Sequence, residues 1–224
     1  MDIMEAIRER HSVRRYTDKK IEGEVLDKLK KVIDECNKQS GLNIQLITDE
    51  PDAFDSIIAR YSSFRNVKNY VALVGDNSKI KKFDESCGYF GEKIVLAAAQ
   101  LGLNTCWVAA TFSKKKCKAV VGDGEKLHMV IAIGYGENNG IYHEKKPVER
   151  LYRADGEVPD WFMRGMEAAR LAPTAINRQR FLFELSGNTV QARALSGPYV
   201  KTDLGIVKYH FEVGAGKGDW KFAD

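Results

Sequence analysis

The chain has 224 residues, of which 44% are hydrophobic and 29% charged, a composition typical of a soluble globular protein with a substantial core. Apolar runs fall short of the roughly 20 residues that span a bilayer, and the N-terminal segment lacks the apolar stretch of a secretory signal. The net charge of +4 is mild. We therefore expect a cytoplasmic protein that binds neither membranes nor nucleic acid.

The first part of the chain predicts two helices followed by two strands. Apolar residues at helical spacing predict a short helix from Ile3 to about Arg10 and a strong amphipathic helix over residues 22–39. Residues 42–48 alternate as a strand does. The short apolar run at residues 69–75 is typical of a central strand.

The next elements are more apolar. Residues 88–103 predict a helix that is buried on most sides, and residues 104–110 and 127–137 predict further strands. The last strand ends in Gly-Tyr-Gly, but the polar residues after it do not continue as a helix, which a dinucleotide-binding loop requires. We therefore expect an α+β or α/β layered protein without such a loop.

The second part of the chain repeats the pattern of the first. Residues 12–47 and 147–185 both run through Val-x-Arg, a polar turn, Gly-Glu-Val, an amphipathic helix and an apolar strand. An apolar helix closed by glycine follows in each half. We predict an internal duplication, with a first repeat at residues 1–146 and a truncated second repeat at residues 147–224.

A basic segment at residues 5–16 crowds five potential cations together: Arg8, Arg10, His11, Arg14 and Arg15. A solvated, charged surface explains such a run, and so does a bound anion. Alternate side chains of an extended chain point the same way, so Arg10, Ser12 and Arg14 would share one side. Two guanidiniums with a hydroxyl between them suit a phosphate.

Other kinds of reactive centre are not indicated. The four histidines and four cysteines have no metal-ligand spacing, so we predict no metal site. No Ser-His-Asp or Cys-His pattern emerges either.

Four segments, taken in order, resemble those of one family. They are Arg-x-Ser-x-Arg at residues 10–14, the helix and strand at residues 95–109, the strand and basic stretch at residues 130–149, and Ala-Pro-Thr-Ala-Ile-Asn-Arg-Gln at residues 172–179. They are similar to the phosphate segment, the buried helix and N5-side strand, the late basic segment and the Ala-Pro-Ser-x-x-Asn-x-Gln ring segment of nitroreductase-like FMN-dependent oxidoreductases.

The resemblance implies that Arg10, Ser12, Arg14 and Lys145 bind the FMN phosphate. His11 would contribute backbone or ribityl contacts. Lys145 would be the late basic residue, although His143 and Lys146 are close alternatives in the sequence.

The resemblance also implies which residues lie along the flavin ring: Trp107, Val108, Ala109, Pro173, Thr174, Ala175, Asn177 and Gln179. A backbone N–H of Trp107, Val108 or Ala109 would face flavin N5. Each assignment has a structural alternative. A helix-to-strand turn explains residues 172–179, core packing explains Trp107, and a sheet edge explains Gln179.

The two repeats divide the functional segments between them. In a typical family member one repeat has both segments, and a homodimer builds two FMN sites. Here the first half has the phosphate segment and the second half has the ring segment. The resemblance therefore implies an α+β, three-layer α/β/α fold with a central, mostly antiparallel sheet, in which two divergent half-repeats form a single-chain pseudo-dimer with one competent FMN site.

The implied activity is that of an FMN-dependent oxidoreductase. It would use NAD(P)H to reduce nitro compounds, quinones or a related small acceptor by a ping-pong mechanism, with FMN carrying the redox chemistry. The alternative is a non-catalytic flavin-binding, storage or redox-sensing protein. A pseudo-dimer of this kind would be monomeric in solution.

Overall fold

A computed structural model of the chain describes residues 1–55 and 63–223. The chain divides into two compact units. Unit 1 comprises Met1, Glu9–Phe83 and Lys93–Tyr142, and unit 2 comprises Asp2–Arg8, Asp84–Glu92 and His143–Asp224.

The predicted helices and strands occur in the expected order among the described residues, and the structure adds three strands that the sequence pattern did not predict, at Tyr152–Ala154, Thr189–Ala194 and Lys221–Phe222. The helices are α1 (Ile3–Glu9), α2 (Gly23–Ser40), α3 (Phe83–Gln100), α4 (Asp160–Leu171) and α5 (Val200–Ala215), with 3-10 turns at Val148–Arg150 and Ala175–Asn177. The strands are β1 (Gln45–Ile47), β2 (Tyr70–Gly75), β3 (Asn104–Val108), β4 (Lys126–Gly134), β5 (Tyr152–Ala154), β6 (Phe181–Ser186), β7 (Thr189–Ala194) and β8 (Lys221–Phe222).

Unit 1 contains a four-stranded antiparallel sheet in the order β1-β2-β4-β3. Every residue of β2 is buried, as predicted for a central strand, and β4 is its neighbour on one side. Ile131 of β4 lies opposite Val71 of β2 and Trp107 of β3. Because β3 is the last strand of this sheet, its outer edge is available for pairing with a further segment.

Helix α2 illustrates how the predicted amphipathic pattern is used. Leu29, Ile33 and Cys36 are buried, whereas Val25 and Leu26 near the start of the helix are half-buried. The buried residues recur at three- and four-residue spacing and form one stripe, and the charged residues between them face solvent.

Unit 2 contains a mixed four-stranded sheet in the order β5-β6-β7-β8, with parallel outer pairs and an antiparallel β6–β7 hairpin. Phe183 of β6 stacks on Phe211 of α5 with ring centroids 4.9 Å apart, and Phe211 meets Phe162 of α4 at 5.4 Å. All three side chains are fully buried. An aromatic core therefore joins this sheet to α4 and α5.

Within unit 2, α3 and α5 cross with their backbones in contact. A Cβ added at Gly88 would lie 2.0 Å from the carbonyl oxygen of Thr202, and one added at Gly205 would lie 1.9 Å from that of Glu85. Gly88 lies three residues after Glu85 in α3, and Gly205 lies three residues after Thr202 in α5. The contact is therefore reciprocal, as it would be between helices related by a two-fold axis.

The predicted α+β class is confirmed. Four of the six strand pairings among the described residues are antiparallel, and the strands are divided between two sheets. Residues 135–147 contain no helix, which agrees with the rejection of a dinucleotide-binding loop after β4. In the described part of the chain, no helix is long and apolar enough to cross a membrane.

We expect Gly205→Ala to lower the free energy of unfolding by about 2–3 kcal/mol or more, because the new methyl group meets backbone that cannot move aside. Urea denaturation followed by circular dichroism measures the change. The control is Gly122→Ala, where the nearest atom is the carboxylate of a flexible Glu125 side chain at 3.2 Å. Equal effects of the two substitutions would contradict the close helix crossing.

Candidate functional site

The predicted phosphate segment follows α1 and lies along the outer edge of β3 in unit 1. Ser12 forms a parallel bridge with Thr105, and the Val13 N–H donates to the Thr105 carbonyl at 3.0 Å. Val13 is buried in the core, whereas Arg14 is exposed. The extended conformation that the alternation argument requires is therefore present from Ser12 to Arg14.

The three predicted phosphate ligands all influence the pKa of the buried Cys106 thiol of β3. Burial raises the pKa of this thiol, while the charge of Arg14, a hydrogen bond from Ser12 and the charge of Arg10 oppose that rise. The Cys106 thiol is 4% exposed and lies on the core side of β3.

His11, within the predicted phosphate segment, packs closely against the loop that follows β4. Its Nδ1–H donates to the Glu9 carbonyl at 2.9 Å, and its ring lies edge-on to Tyr142 with centroids 6.3 Å apart. Gly140 has a φ of +81°, and a Cβ there would lie 2.7 Å from the Cβ of His11. Glycine therefore meets both a conformational and a steric requirement at this position.

The N5-side residues suggested by the resemblance lie at the C-terminal end of β3. Val108 belongs to the core cluster together with Cys106. Trp107, between them, is half-buried and projects to the opposite face of the strand. Ala109 follows the strand and is also half-buried. The Val108 side chain is committed to the core, so any contact that Val108 makes with a ligand would come from its backbone.

The predicted ring segment of unit 2 connects α4 to β6 through a turn of unusual conformation. Ile176, Asn177 and Gln179 have φ values of 53°, 52° and 46°, in the left-handed region that non-glycine residues rarely adopt. Ile176 is also 80% exposed. A β-branched residue in this conformation is strained, and such strain persists only where the surrounding contacts determine the backbone.

Lys145 and Asn177, both predicted from the sequence, are brought together in unit 2. Lys145 Nζ donates to Asn177 Oδ1 at 3.0 Å and lies 3.4 Å from the Ala172 carbonyl. The Asn177 amide in turn donates to the Glu144 carbonyl at 2.8 Å. The late basic segment therefore holds the ring segment from one side.

Gln179 holds the far end of the same turn. It is 1% exposed, its Oε1 accepts from the Lys146 N–H at 2.7 Å, and its Nε2 donates to the Arg170 carbonyl at 2.9 Å. Its own N–H donates to Thr174 Oγ1 at 3.0 Å. Its observed contacts thus stabilise the turn, and contact with flavin stays a prediction for this residue.

Positive charge is concentrated near this turn. Burial lowers the pKa of Lys146, and the charges of Arg180 and Arg150 lower it further. Lys146 Nζ donates to the Gln179 carbonyl at 2.9 Å. Three cations that repel one another, at the base of the ring segment, form an environment that favours an anionic ligand.

Asp203 is a buried carboxylate at this turn that the sequence analysis missed. It lies in the first turn of α5, is 5% exposed, and accepts from the Ala175 N–H at 3.0 and 3.1 Å through its two oxygens. Burial raises the pKa of Asp203 to about 7, against the opposing effect of the Ala175 N–H. An acidic residue in the first turn of a helix is ordinary, so the sequence offers no signal that this one is functional.

The predicted residues thus form two groups. Arg10, Ser12 and Arg14 lie in unit 1, in the segment that pairs with β3. Trp107 belongs to that strand, two residues after Thr105, the partner of Ser12. Lys145 and the predicted ring segment lie together in unit 2.

Comparisons with known proteins identify one family. The family model described as "Putative TM nitroreductase" matches residues 2–215. No curated protein matches the chain.

Solved structures share the fold. A nitroreductase of Thermotoga maritima is 22% identical, with 96% of this chain and 83% of that one covered and a TM-score of 0.66. A nitroreductase of Desulfovibrio desulfuricans in complex with FMN is 22% identical, with coverage of 67% and 95% and a TM-score of 0.54. An NADH oxidase of Clostridium acetobutylicum is 25% identical, with coverage of 65% and 96% and a TM-score of 0.51.

We expect Asp203→Asn to stabilise the protein relative to wild type at pH 8 but not at pH 4. A carboxyl whose pKa is raised to about 7 on folding binds more protons in the folded state than in the unfolded state between about pH 4 and pH 7. Its contribution to stability is therefore present at low pH and is lost as the pH rises through 7. The difference reaches up to about 4 kcal/mol.

Denaturation with urea at a series of pH values measures this difference. Asp219→Asn, which removes an exposed carboxylate of unit 2, is the control. If the free energies of unfolding of wild type and Asp203→Asn stayed parallel across the pH range, the buried carboxyl would not titrate as described.

Proposed function

The chain belongs to the TM nitroreductase family, and we propose that it uses NAD(P)H to reduce nitro compounds, quinones or related small acceptors by a ping-pong mechanism. It is a flavin oxidoreductase, and its cofactor is FMN. The observation that carries the proposal is the extended segment that pairs with the outer edge of β3 through Ser12 and Val13, with Arg10 and Arg14 on either side of Ser12 in the sequence.

The chemistry of this group fits the phosphate of FMN. Arg10 and Arg14 would supply two guanidiniums, whose planar donor arrays match phosphate oxygens, and Ser12 a hydroxyl. Arg10 and Arg14 lie four residues apart in the sequence, on either side of Ser12. A dianion would offset their mutual repulsion.

The ring segment of unit 2 is fixed by contacts within its own unit. Its backbone is held by Lys145, Lys146 and Asp203, so it would present a fixed surface instead of ordering on binding. Preorganised positive groups stabilise negative charge that develops during a reaction, and Lys146, Arg150 and Arg180 supply such charge here. When bound, FMN supplies the electron-transfer chemistry itself.

The names of similar structures support this assignment at the level of the reaction class. The Desulfovibrio desulfuricans protein is named as an FMN complex, and the Clostridium acetobutylicum protein as an NADH oxidase. They are the basis for proposing a nicotinamide as the electron donor.

We also propose that the chain is a single-chain pseudo-dimer. The reciprocal contact of Gly88 with Thr202, and of Gly205 with Glu85, supports a duplication because a two-fold axis would generate it. The repeats proposed are residues 1–146 and 147–224. Since the chain carries one phosphate segment and one ring segment, it would bind one FMN.

We expect titration with FMN to saturate at one equivalent per chain and to perturb the visible absorption of the flavin. Light scattering of the complex should give a mass close to the 25.2 kDa of one chain. Two equivalents per chain would exclude the divided arrangement of segments, and an unperturbed spectrum would exclude the function. Oxidation of NAD(P)H in the presence of a quinone or nitroaromatic compound then distinguishes an enzyme from a flavin-storage protein.

We expect Arg14→Ala to weaken FMN binding by about 10- to 100-fold, the usual cost of losing a charge-assisted bond. Arg15→Ala is the matched control, because alternation along the extended segment places the Arg15 side chain on the opposite side from Ser12 and Arg14. We expect Arg15→Ala to weaken FMN binding by less than about 3-fold. Flavin fluorescence titrations of both variants measure the affinities, and equal losses would contradict the phosphate site.

A further inference from the structure

The strained turn of the ring segment needs an explanation that its own sequence does not supply. Ile176 and Asn177 are consecutive left-handed residues, and neither is glycine. Lys145 and Glu144 hold the Asn177 side chain, and Thr174 Oγ1 holds the Gln179 N–H, so the end of the turn is fixed. The beginning of the turn, at Ala175, is held by a different group.

Asp203 is the group that holds Ala175. Both carboxylate oxygens lie within 3.1 Å of the Ala175 nitrogen, and the carboxyl is 5% exposed on a helix whose position is set by backbone contact between Gly205 and Glu85. Among the described residues, the Ala175 N–H is the hydrogen-bond donor to this side chain. A buried carboxyl is normally satisfied by more than one donor, so burial of Asp203 with this single donor lowers the stability of the fold.

We propose that Asp203 is a positioning residue: by accepting from the Ala175 N–H it holds Ile176 and Asn177 in the left-handed conformations that shape the flavin-binding turn. The inference rests on the proposed function. Asp203 acts through Ala175 and touches neither cofactor nor substrate. Without this acceptor, rotation at Ala175 would let Ile176 relax to a common backbone conformation, and the turn would lose the surface that it presents.

The first test uses the protein without FMN and follows exchange of the Ala175 amide hydrogen by NMR. Asp203→Asn keeps an acceptor oxygen, whereas Asp203→Leu keeps similar bulk and removes it. We expect the amide to exchange at least 10-fold faster in Asp203→Leu than in wild type, and within about 3-fold of wild type in Asp203→Asn. Lys201→Ala removes an exposed charged side chain from the first turn of the same helix and is the control.

The second test measures FMN affinity of the same variants by flavin fluorescence. We expect Asp203→Leu to bind at least 10-fold more weakly than wild type and Asp203→Asn to recover most of the loss. A purely structural role for the carboxyl would lower stability in Asp203→Leu without separating the two variants in affinity, and this result would overturn the proposal.

The two readouts distinguish failure of this inference from failure of the proposed function. If wild type does not bind FMN, the flavin function fails and with it the positioning role, while exchange still shows whether Asp203 fixes the turn. An Ala175 amide that exchanges freely in wild type overturns the inference whatever the variants do. That measurement needs no substitution, so a variant that fails to fold leaves the inference testable.

Discussion

The close crossing of α3 and α5 is the constraint on which unit 2 depends. Gly88 and Gly205 let the two backbones meet, and any side chain at either position would force the helices apart. At this spacing His210 reaches Glu92, with Nε2 2.8 Å from Oε1, while its Nδ1–H donates to the Ala168 carbonyl. Both side chains are fully buried, so the two polar groups are satisfied only when the helices pack in this register. The position of Asp203, two residues before Gly205, follows from the same contact.

Charge is distributed differently in the two units. In unit 1, Arg10 and Arg14 flank Ser12, which bridges to the outer edge of β3, and both charges influence the Cys106 thiol of that strand. In unit 2, burial and neighbouring cations act together on Lys146. Like charges held close together cost free energy unless an anion offsets them, and in both places the backbone geometry keeps them close.

Sequence periodicity predicted the elements well because it reports which face of each element is buried. The apolar run at residues 69–75 became the fully buried β2, and the stripe of α2 buried Leu29, Ile33 and Cys36. Alternation also predicted an extended segment at residues 12–14, and its role in phosphate binding stays a prediction. Periodicity contains no information on left-handed residues, so the conformation of Ile176 was not foreseen, and the contact between Lys145 and Asn177 joins residues that are distant in the chain.

The sequence by itself determined the α+β class, the family resemblance and the two segments that suit FMN, since each is a local pattern of apolar, basic or turn-forming residues. Tertiary structure alone decided which partners these residues have. Asp203 resembles any acidic residue at a helix start until α5 is packed against its neighbours and the Ala175 N–H becomes its donor. Likewise, nothing in the local sequence marks Gly88 and Gly205 as contact residues within their apolar helices, because their role depends on the approach of the two backbones. Burial and close approach depend on residues far apart in the chain, which is why local sequence could not specify them.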